Sequence, residues 1–346
     1  MHMADALLSP AVGATFAAGS LAAIAYASKK LKSTIDDKTI PLMGVLGAFI
    51  FAAQMINFTI PGTGSSGHLG GGMILAILLG PYAGFLVLAS VLTVQAFFFA
   101  DGGLLALGCN IWNLGVYPCF LAFPLLYKPL LGNSTSHKKI LIASLISAIV
   151  GLQLGAFSVV LQTLLSGRTD LPFNTFLMLM QPIHLVIGIV EGFITAGVIS
   201  YVRNVRPELL EQVMQTRPLD AKISIKKILI AFFVLSLVTG GALSWFASTH
   251  PDGLEWSLAK VTGKEELSGQ HGEISGGLKK IQDTSALFPD YTFKSNSETK
   301  ESGDASWPGI EPGTSVAGII GALLVLGFVF LAGISIKAIR KKQSQS

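Results

Sequence analysis

The sequence predicts an all-α polytopic membrane protein, and three observations predict it. Of its 346 residues, 51% are hydrophobic and only 13% charged, against roughly 25% charged in an ordinary soluble domain. Mean hydropathy is high, at +0.62. The apolar residues gather in runs of ~20, the length at which an α-helix crosses a bilayer. Only helices or closed barrels satisfy their backbone in lipid, and runs of this length are helical.

Nine apolar segments follow in order, at 7–28, 40–58, 69–80, 82–100, 104–127, 139–164, 175–202, 228–247 and 315–336. The third is too short to span alone. It ends at Gly80-Pro81, where the proline disfavours helix in the residue before it, so a short helix packed inside protein is expected. Cys109 and Cys119 fall within the fifth segment and read as buried helix residues, with no disulfide framework and no CxxC metal pair. No Walker loop, HExxH or GxSxG motif occurs. ATP hydrolysis is therefore expected in another subunit, and no catalytic cluster is visible.

The net charge of +4 matters less than its placement. Lys29, Lys30, Lys32 and Lys38 follow the first segment, and Lys128, Lys138 and Lys139 lie between the fifth and sixth. Arg203, Arg206, Arg217, Lys222, Lys226 and Lys227 follow the seventh, and Lys337, Arg340, Lys341 and Lys342 end the chain. With the N-terminus outside, all of these are cytoplasmic and the short outer loops hold only Arg168, as the positive-inside rule requires. The N-terminus is expected outside and the C-terminus in the cytoplasm, with lipid around the spans and no nucleic acid as partner. Ala25-Tyr26-Ala27 before Ser28 looks like a signal-peptidase site, but no basic region precedes the run and the lysines come after it. The chain start is therefore expected to be retained, Met1 included, because His2 is large.

Two stretches could hold a metal. At Met1-His2 the α-amine, the next amide nitrogen and the imidazole lie within reach of one ion. With the amide deprotonated, amine, amide nitrogen and Nδ1 close two fused rings and set three nitrogens in a plane. Such a field selects Ni(II) or Cu(II), with Co(II) possible; the same two residues also read as a solvated terminus. The second stretch, from Pro61 to Gly72, has six glycines among twelve residues, so its backbone can take positive φ and approach other backbone closely. It reads as a flexible outer hairpin, or as a loop folded inward that offers His68 to the open metal position.

Inside the membrane, His184 and Glu191 need an account, since intramembrane ionisable residues are functional hypotheses by default. At seven residues' spacing they share a helix face ~10 Å apart, so each needs a partner elsewhere. Gln95, Asn110, Asn113, Gln153 and Gln162 are candidates, in a structural polar network or around a cation drawn by Glu191. Gln95 and Asn110 are also the candidates to orient a ligand imidazole from behind. Ala14, Ala18 and Ala22, and Gly44, Ala48 and Ala52, recur at the spacing that lets helices pack closely.

Met1-His2 with Asp5 and Leu8-Ser9-Pro10, the run Phe51-Ala52-Ala53-Gln54-Met55-Ile56-Asn57-Phe58, the Pro61–Gly72 loop and Ala100-Asp101-Gly102-Gly103-Leu104-Leu105-Ala106-Leu107-Gly108 carry a resemblance. Over roughly residues 1–205 the chain resembles the nickel/cobalt-binding subunits of energy-coupling factor transporters. The resemblance implies a seven-helix substrate-binding (S-component) bundle, with the N-terminus threaded into its centre. It implies a square-planar site from the Met1 amine, the His2 amide and imidazole, and His68, with Ni(II) or Co(II) as transported substrate and no permanent cofactor. It also implies a prokaryotic cell (inner) membrane, a transmembrane coupling subunit docked on Gly44, Ala48 and Ala52, and ATPase subunits. Met3-Ala4-Asp5-Ala6 departs from the family's usual Ile-Pro-Asp-Gly, which loosens a turn but removes no ligand.

The last third resembles that family's small accessory subunit, through Pro251-Asp252-Gly253-Leu254-Glu255 and Phe288-Pro289-Asp290-Tyr291. The expected organisation is a metal-binding transmembrane domain at 1–205, a cytoplasmic linker at 206–227, and an accessory region at 228–346 that adds two transmembrane helices. Between those helices, the outer segment 248–313 has the composition of an exposed, weakly ordered loop; the resemblance implies a lid or loading segment. His250 and His271 within it either pass metal inward or are solvated. The alternative is a secondary, ATP-independent metal permease with its ligands around His184 and Glu191.

Overall fold

A computed structural model describes residues 2–132, 134, 136–168, 171–215, 224–265, 273–294 and 308–343. After a short turn at Asp5–Leu7, helix α1 runs Pro10–Thr34, with Pro10 in its first turn and the Ser9 hydroxyl accepting from Val12 N–H. Both are favourable helix-start chemistry. Helix α2 (Thr39–Gln54) is shorter than the apolar run 40–58. The run's last residue, Phe58, instead opens strand β1 (Phe58–Ile60), which pairs antiparallel with β2 (Ser65–Gly67). Aromatic and β-branched residues just before Pro61-Gly62 favour a strand and turn over more helix.

Helix α3 (Gly72–Leu79) is buried along almost its whole length. It stops at Gly80, and α4 (Pro81–Phe99) begins at the next residue. The predicted short internal helix is what forms. Helices α5 (Leu107–Leu131), α6 (His137–Ser166) and α7 (Phe173–Val205) complete the first region, making seven helices among the described residues. Beyond them lie α8 (Pro207–Met214), α9 (Lys226–Gly241), α10 (Gly253–Thr262), α11 (Glu273–Ser285) and α12 (Pro312–Gln343).

By length and composition, α1, α4, α5, α6, α7 and α12 can each cross a membrane. Helices α2 and α9 have 16 residues each, ~24 Å at 1.5 Å per residue and short of a ~30 Å hydrocarbon core. They lie together, with Phe49 and Phe232 in edge contact at 5.1 Å, and α12 packs against α2. Exposed apolar side chains such as Leu165, Met178 and Phe193 lie on the long helices, where lipid suits them.

The stripe expected to receive a coupling subunit is covered by this chain. Gly44, Ala48 and Ala52 are not an open docking face: all three are buried. At Gly44 an added Cβ would come within 3.3 Å of the Leu326 carbonyl oxygen on α12. The chain's own last helix takes the close approach that small residues permit.

Candidate metal centre

The N-terminal segment is held down by the loop that joins α4 to α5. Asn110 pins Met3 from both sides, its Oδ1 accepting from Met3 N–H at 2.8 Å and its Nδ2 donating to the Met3 carbonyl at 3.3 Å. Gly103 N–H donates to the same carbonyl at 2.9 Å, and Asp5 Oδ1 accepts from Ala106 N–H at 3.1 Å. A Cβ at Gly103 would sit 1.8 Å from Asp5 Oδ1, so only glycine admits this approach. His2 is thereby fixed just ahead of a tethered Met3, while Met1 lies outside the described residues.

The glycine-rich loop is anchored from the bundle. Glu191 of α7 accepts from Gly70 N–H at 2.8 Å and from Gly71 N–H at 3.1 Å. Gly71 has φ 79°, a conformation glycine adopts without cost, and this turns both amides to one carboxylate. From the other side, Gln95 Nε2 donates to Gln54 Oε1 and Gln54 Nε2 to the Gly70 carbonyl, each at 2.9 Å.

The accessory segment straps the outside of the same loop. Ser66 N–H donates to the Pro251 carbonyl and Ser66 Oγ to the His250 carbonyl, each at 2.8 Å, with a parallel bridge from Ser66 to Asp252. Trp256 Nε1 donates to the Thr63 carbonyl at 3.0 Å. Asp252 and Glu255 form a complete capping box at the start of α10, which is why a segment of weakly ordered composition folds here. The segment's described parts are helices and turns docked on loops, a correction to the expectation of weak order.

These anchors bring His2 and His68 together from distant points in the chain. Their rings are parallel within 2°, with centroids 5.0 Å apart. The His2 side chain is 8% exposed, and His68 as a whole residue 8%. His68 Nδ1 faces the Leu69 carbonyl at 3.1 Å; a carbonyl only accepts, so this nitrogen carries the proton and Nε2 keeps a lone pair. Burial, and then neighbouring positive charge that includes His2, pushes the His68 pKa down to about 3. The neutral imidazole is the form that binds a metal.

His2 Nδ1 lies 3.1 Å from Asp101 Oδ1, and His2 Nε2 is buried with no hydrogen-bond partner among the described residues. Tyr291 donates its hydroxyl to Asp101 Oδ2 at 2.5 Å. Burial works to raise the Asp101 carboxyl, yet the charge and hydrogen bonds of His2 and the Tyr291 hydroxyl outweigh it and hold it below the usual carboxylate range. Tyr291 is held well above its ordinary range by burial and by the Asp101 charge. Asp252 lines a small cavity with His68, His184 and Gly253. Among the described residues, no three His, Cys, Asp or Glu side chains gather closely enough to hold a metal by themselves.

A family profile described as "Cobalt uptake substrate-specific transmembrane region" (CbiM) matches residues 2–209. The chain belongs to the CbiM family. A PDGLE-domain profile matches residues 226–338 of this CbiM-family chain. It is 33% identical to a putative fused nickel transport protein NikMN of Archaeoglobus fulgidus, across 95% of this chain and 97% of that one. A probable fused nickel transport protein LarMN of Lactiplantibacillus plantarum is 31% identical, across 85% and 89% of the two chains. A crystal structure of a transition metal transporter aligns with TM-score 0.54 at 31% identity, over 63% of this chain and all of that one. Fused metal-transport proteins of this membrane family are thus its relatives along nearly the whole length.

Within the CbiM region, the two residues expected to orient an imidazole from behind each have polar partners, and Gln95 also lies against the Tyr291 hydroxyl. Asn110 holds Met3, and Gln95 reaches the glycine loop through Gln54. Asn113 pairs reciprocally with Gln162, and Gln153 with the Gln181 backbone, so none of the five candidates partners His184 or Glu191. His184 Nδ1 bonds the Met180 carbonyl one turn back at 2.7 Å, and Glu191 serves the loop. His250 is exposed, and His271 lies outside the described residues. Asp101 is the residue sequence reasoning passed over. It was visible inside the Ala100–Gly108 motif as an acid amid apolar neighbours, but its partners come from residues 2 and 291.

Proposed function

We propose that the chain captures Ni(II) or Co(II) at the end of the bundle that carries His2 and His68, and passes it across the membrane as the substrate-binding component of an ATP-driven energy-coupling factor transporter. One observation carries the reading: two buried imidazoles, 66 positions apart in sequence, lie parallel with centroids 5.0 Å apart. The donor set is the Met1 amine, the His2 amide and imidazole, and His68. The nickel and cobalt names of the relatives and the lone pair kept by His68 Nε2 support it. The planar chelate uses His2 Nδ1, so the ring exchanges its Asp101 contact for the ion.

The pairing at the other end of the bundle supports an N-out, C-in topology. There Arg340 donates to the Ile35 carbonyl at 2.9 Å and Lys337 pairs with Asp37, gathering the basic segments on one side as the positive-inside rule expects of a cytoplasmic face. Energy from partner ATPase subunits suits tight capture, because a closely held ion must be driven off.

Absorption titration of the purified full chain with Ni(II) and Co(II) tests the site. A yellow, diamagnetic nickel complex is expected, since a square-planar nitrogen field suits Ni(II). Affinity should weaken as pH falls, because amine and amide must release protons; His68 adds little to that slope, its pKa lying at about 3. Metal uptake into vesicles that lack any ATPase would instead favour the secondary permease.

A further inference from the structure

The end of the bundle away from His2 holds a cavity of about 510 Å³, within the ~300–1,000 Å³ typical of small-molecule sites. Helix α5 leads there from the tether of Met3 and carries Lys128, about 30 Å along its axis. Helix α7 brings Arg203 to the same place, and α8 adds Leu210, Glu211 and Met214. The position of α8 follows from its pattern: Leu209 is buried while Glu208 and Glu211 are exposed, so its apolar face turns to the bundle.

Two kinds of lining meet in this cavity. Ile140, Ile199, Leu210 and Met214 give it an apolar wall, and Lys128 and Arg203 give it positive charge. Arg203 Nη1 is buried and makes no hydrogen bond among the described residues. A buried charged donor in that condition costs free energy that an acceptor returns. Tyr127 lines the cavity as well; its buried hydroxyl lies toward Ser144 but closes no hydrogen bond with it. The Lys128 ammonium stands 5.9 Å from the Phe123 ring centre. Glu211 is exposed and forms no ion pair with either cation among the described residues. Leu125 and Leu130, on the same last turns of α5, are exposed apolar side chains of the kind that faces lipid.

We propose that this cavity binds the phosphate head of an anionic membrane lipid. Arg203 offers the planar fork that matches phosphate oxygens, Lys128 a point charge and Tyr127 a hydroxyl, while the apolar wall receives the start of one acyl chain. That wall would contribute nothing to free phosphate, which is why a lipid fits the whole lining. Basic pockets between membrane helices on the cytoplasmic side take lipid heads, and the topology proposed above puts this end on that side. The lipid bridges α5, α7 and α8, and so steadies α8 against the bundle. Metal capture at the opposite end has no part in this binding.

Native mass spectrometry of the full chain in detergent tests this, with phosphatidylglycerol and phosphatidylcholine of identical acyl chains as probes. One phosphatidylglycerol should be retained about tenfold or more in preference to phosphatidylcholine, the scale of charge-assisted hydrogen bonds. Arg203→Ala should lose that preference. Glu211→Gln, which removes a charge of the phosphate's own sign, should strengthen retention. Lys337→Ala alters an exposed basic residue at the same end and should change nothing, which separates a built site from general attraction. Amide exchange across α8 should be slower in phosphatidylglycerol nanodiscs than in phosphatidylcholine ones. Equal retention of the two lipids, or a loss in Lys337→Ala as large as in Arg203→Ala, would overturn the proposal. So would displacement of the lipid by glycerol 3-phosphate at equal concentration, which would make the ligand a free phosphate ester. Should Arg203→Ala fail to fold, Arg203→Lys and Glu211→Gln must shift retention in opposite directions, and shifts in one direction would be equally fatal.

Discussion

His68 and His2 face each other, but the structure holds them by different means. His68 sits on a loop gripped by Glu191 and Gln54 from the bundle and by the Pro251–Asp252 strap from outside, almost entirely through backbone amides and carbonyls. His2 lies at a chain tip. Behind it Met3 is tethered by Asn110 and Gly103, yet the ring itself is held by one carboxylate oxygen. One donor is therefore preorganised, and the other can move to meet an ion. Sites that depend on geometry benefit from such rigid support, and a movable second donor gives the ion a way in.

Breaking either half fully should have the largest effect. His2→Ala, and separately His68→Ala, should each cost more than the ~100-fold that bounds changes behind a ligand, with the fold intact by circular dichroism. Nickel affinity at the wild-type level in either variant would remove the proposed site. Next in size comes the rigid half's anchor. Glu191→Ala leaves two buried amides unpaired, each worth about 1–3 kcal/mol of local stability. Faster hydrogen exchange at Gly70 and Gly71 should report it, with Glu191→Gln recovering part of the protection. Exchange left unchanged there would mean that the loop is held by the strap alone.

Asp252→Ala probes the strap with a smaller expected effect. It removes the capping box at the start of α10, about 1 kcal/mol, and should loosen α10 with a weaker effect on metal affinity than Glu191→Ala. A greater loss than in the Glu191 variant would reverse the ranking of the two anchors. The smallest change is expected at the far end of the bundle. Lys337→Ala breaks an exposed pair with Asp37, and such pairs contribute little; both melting and nickel binding should stay at wild-type values.

Much of this was legible beforehand, and for identifiable reasons. The seven helices of the first region follow from apolar runs and from the break at Gly80-Pro81. Capping chemistry at Ser9 and at Asp252-Glu255 is local and reads directly. The glycine loop announced a close approach, although not to what. Asp101 and Tyr291 were present in quoted motifs, but an acid's meaning depends on which residues face it. Gly44, Ala48 and Ala52 form a close-packing stripe that names no partner, and at Gly44 it is α12 of the same chain that makes the close approach. Glu191 likewise turned out to serve amides in a loop more than a hundred positions away, and no helix periodicity reports that.

The sequence by itself determined a helical membrane protein with a metal-suited chain start and an inward-capable histidine loop, because hydropathy, helix breaks and donor chemistry are properties of neighbouring residues. Only the tertiary structure decided that residues 2, 68, 101 and 291 meet at one place. Such meetings depend on side-chain directions and long-range packing, which no short stretch of sequence encodes alone.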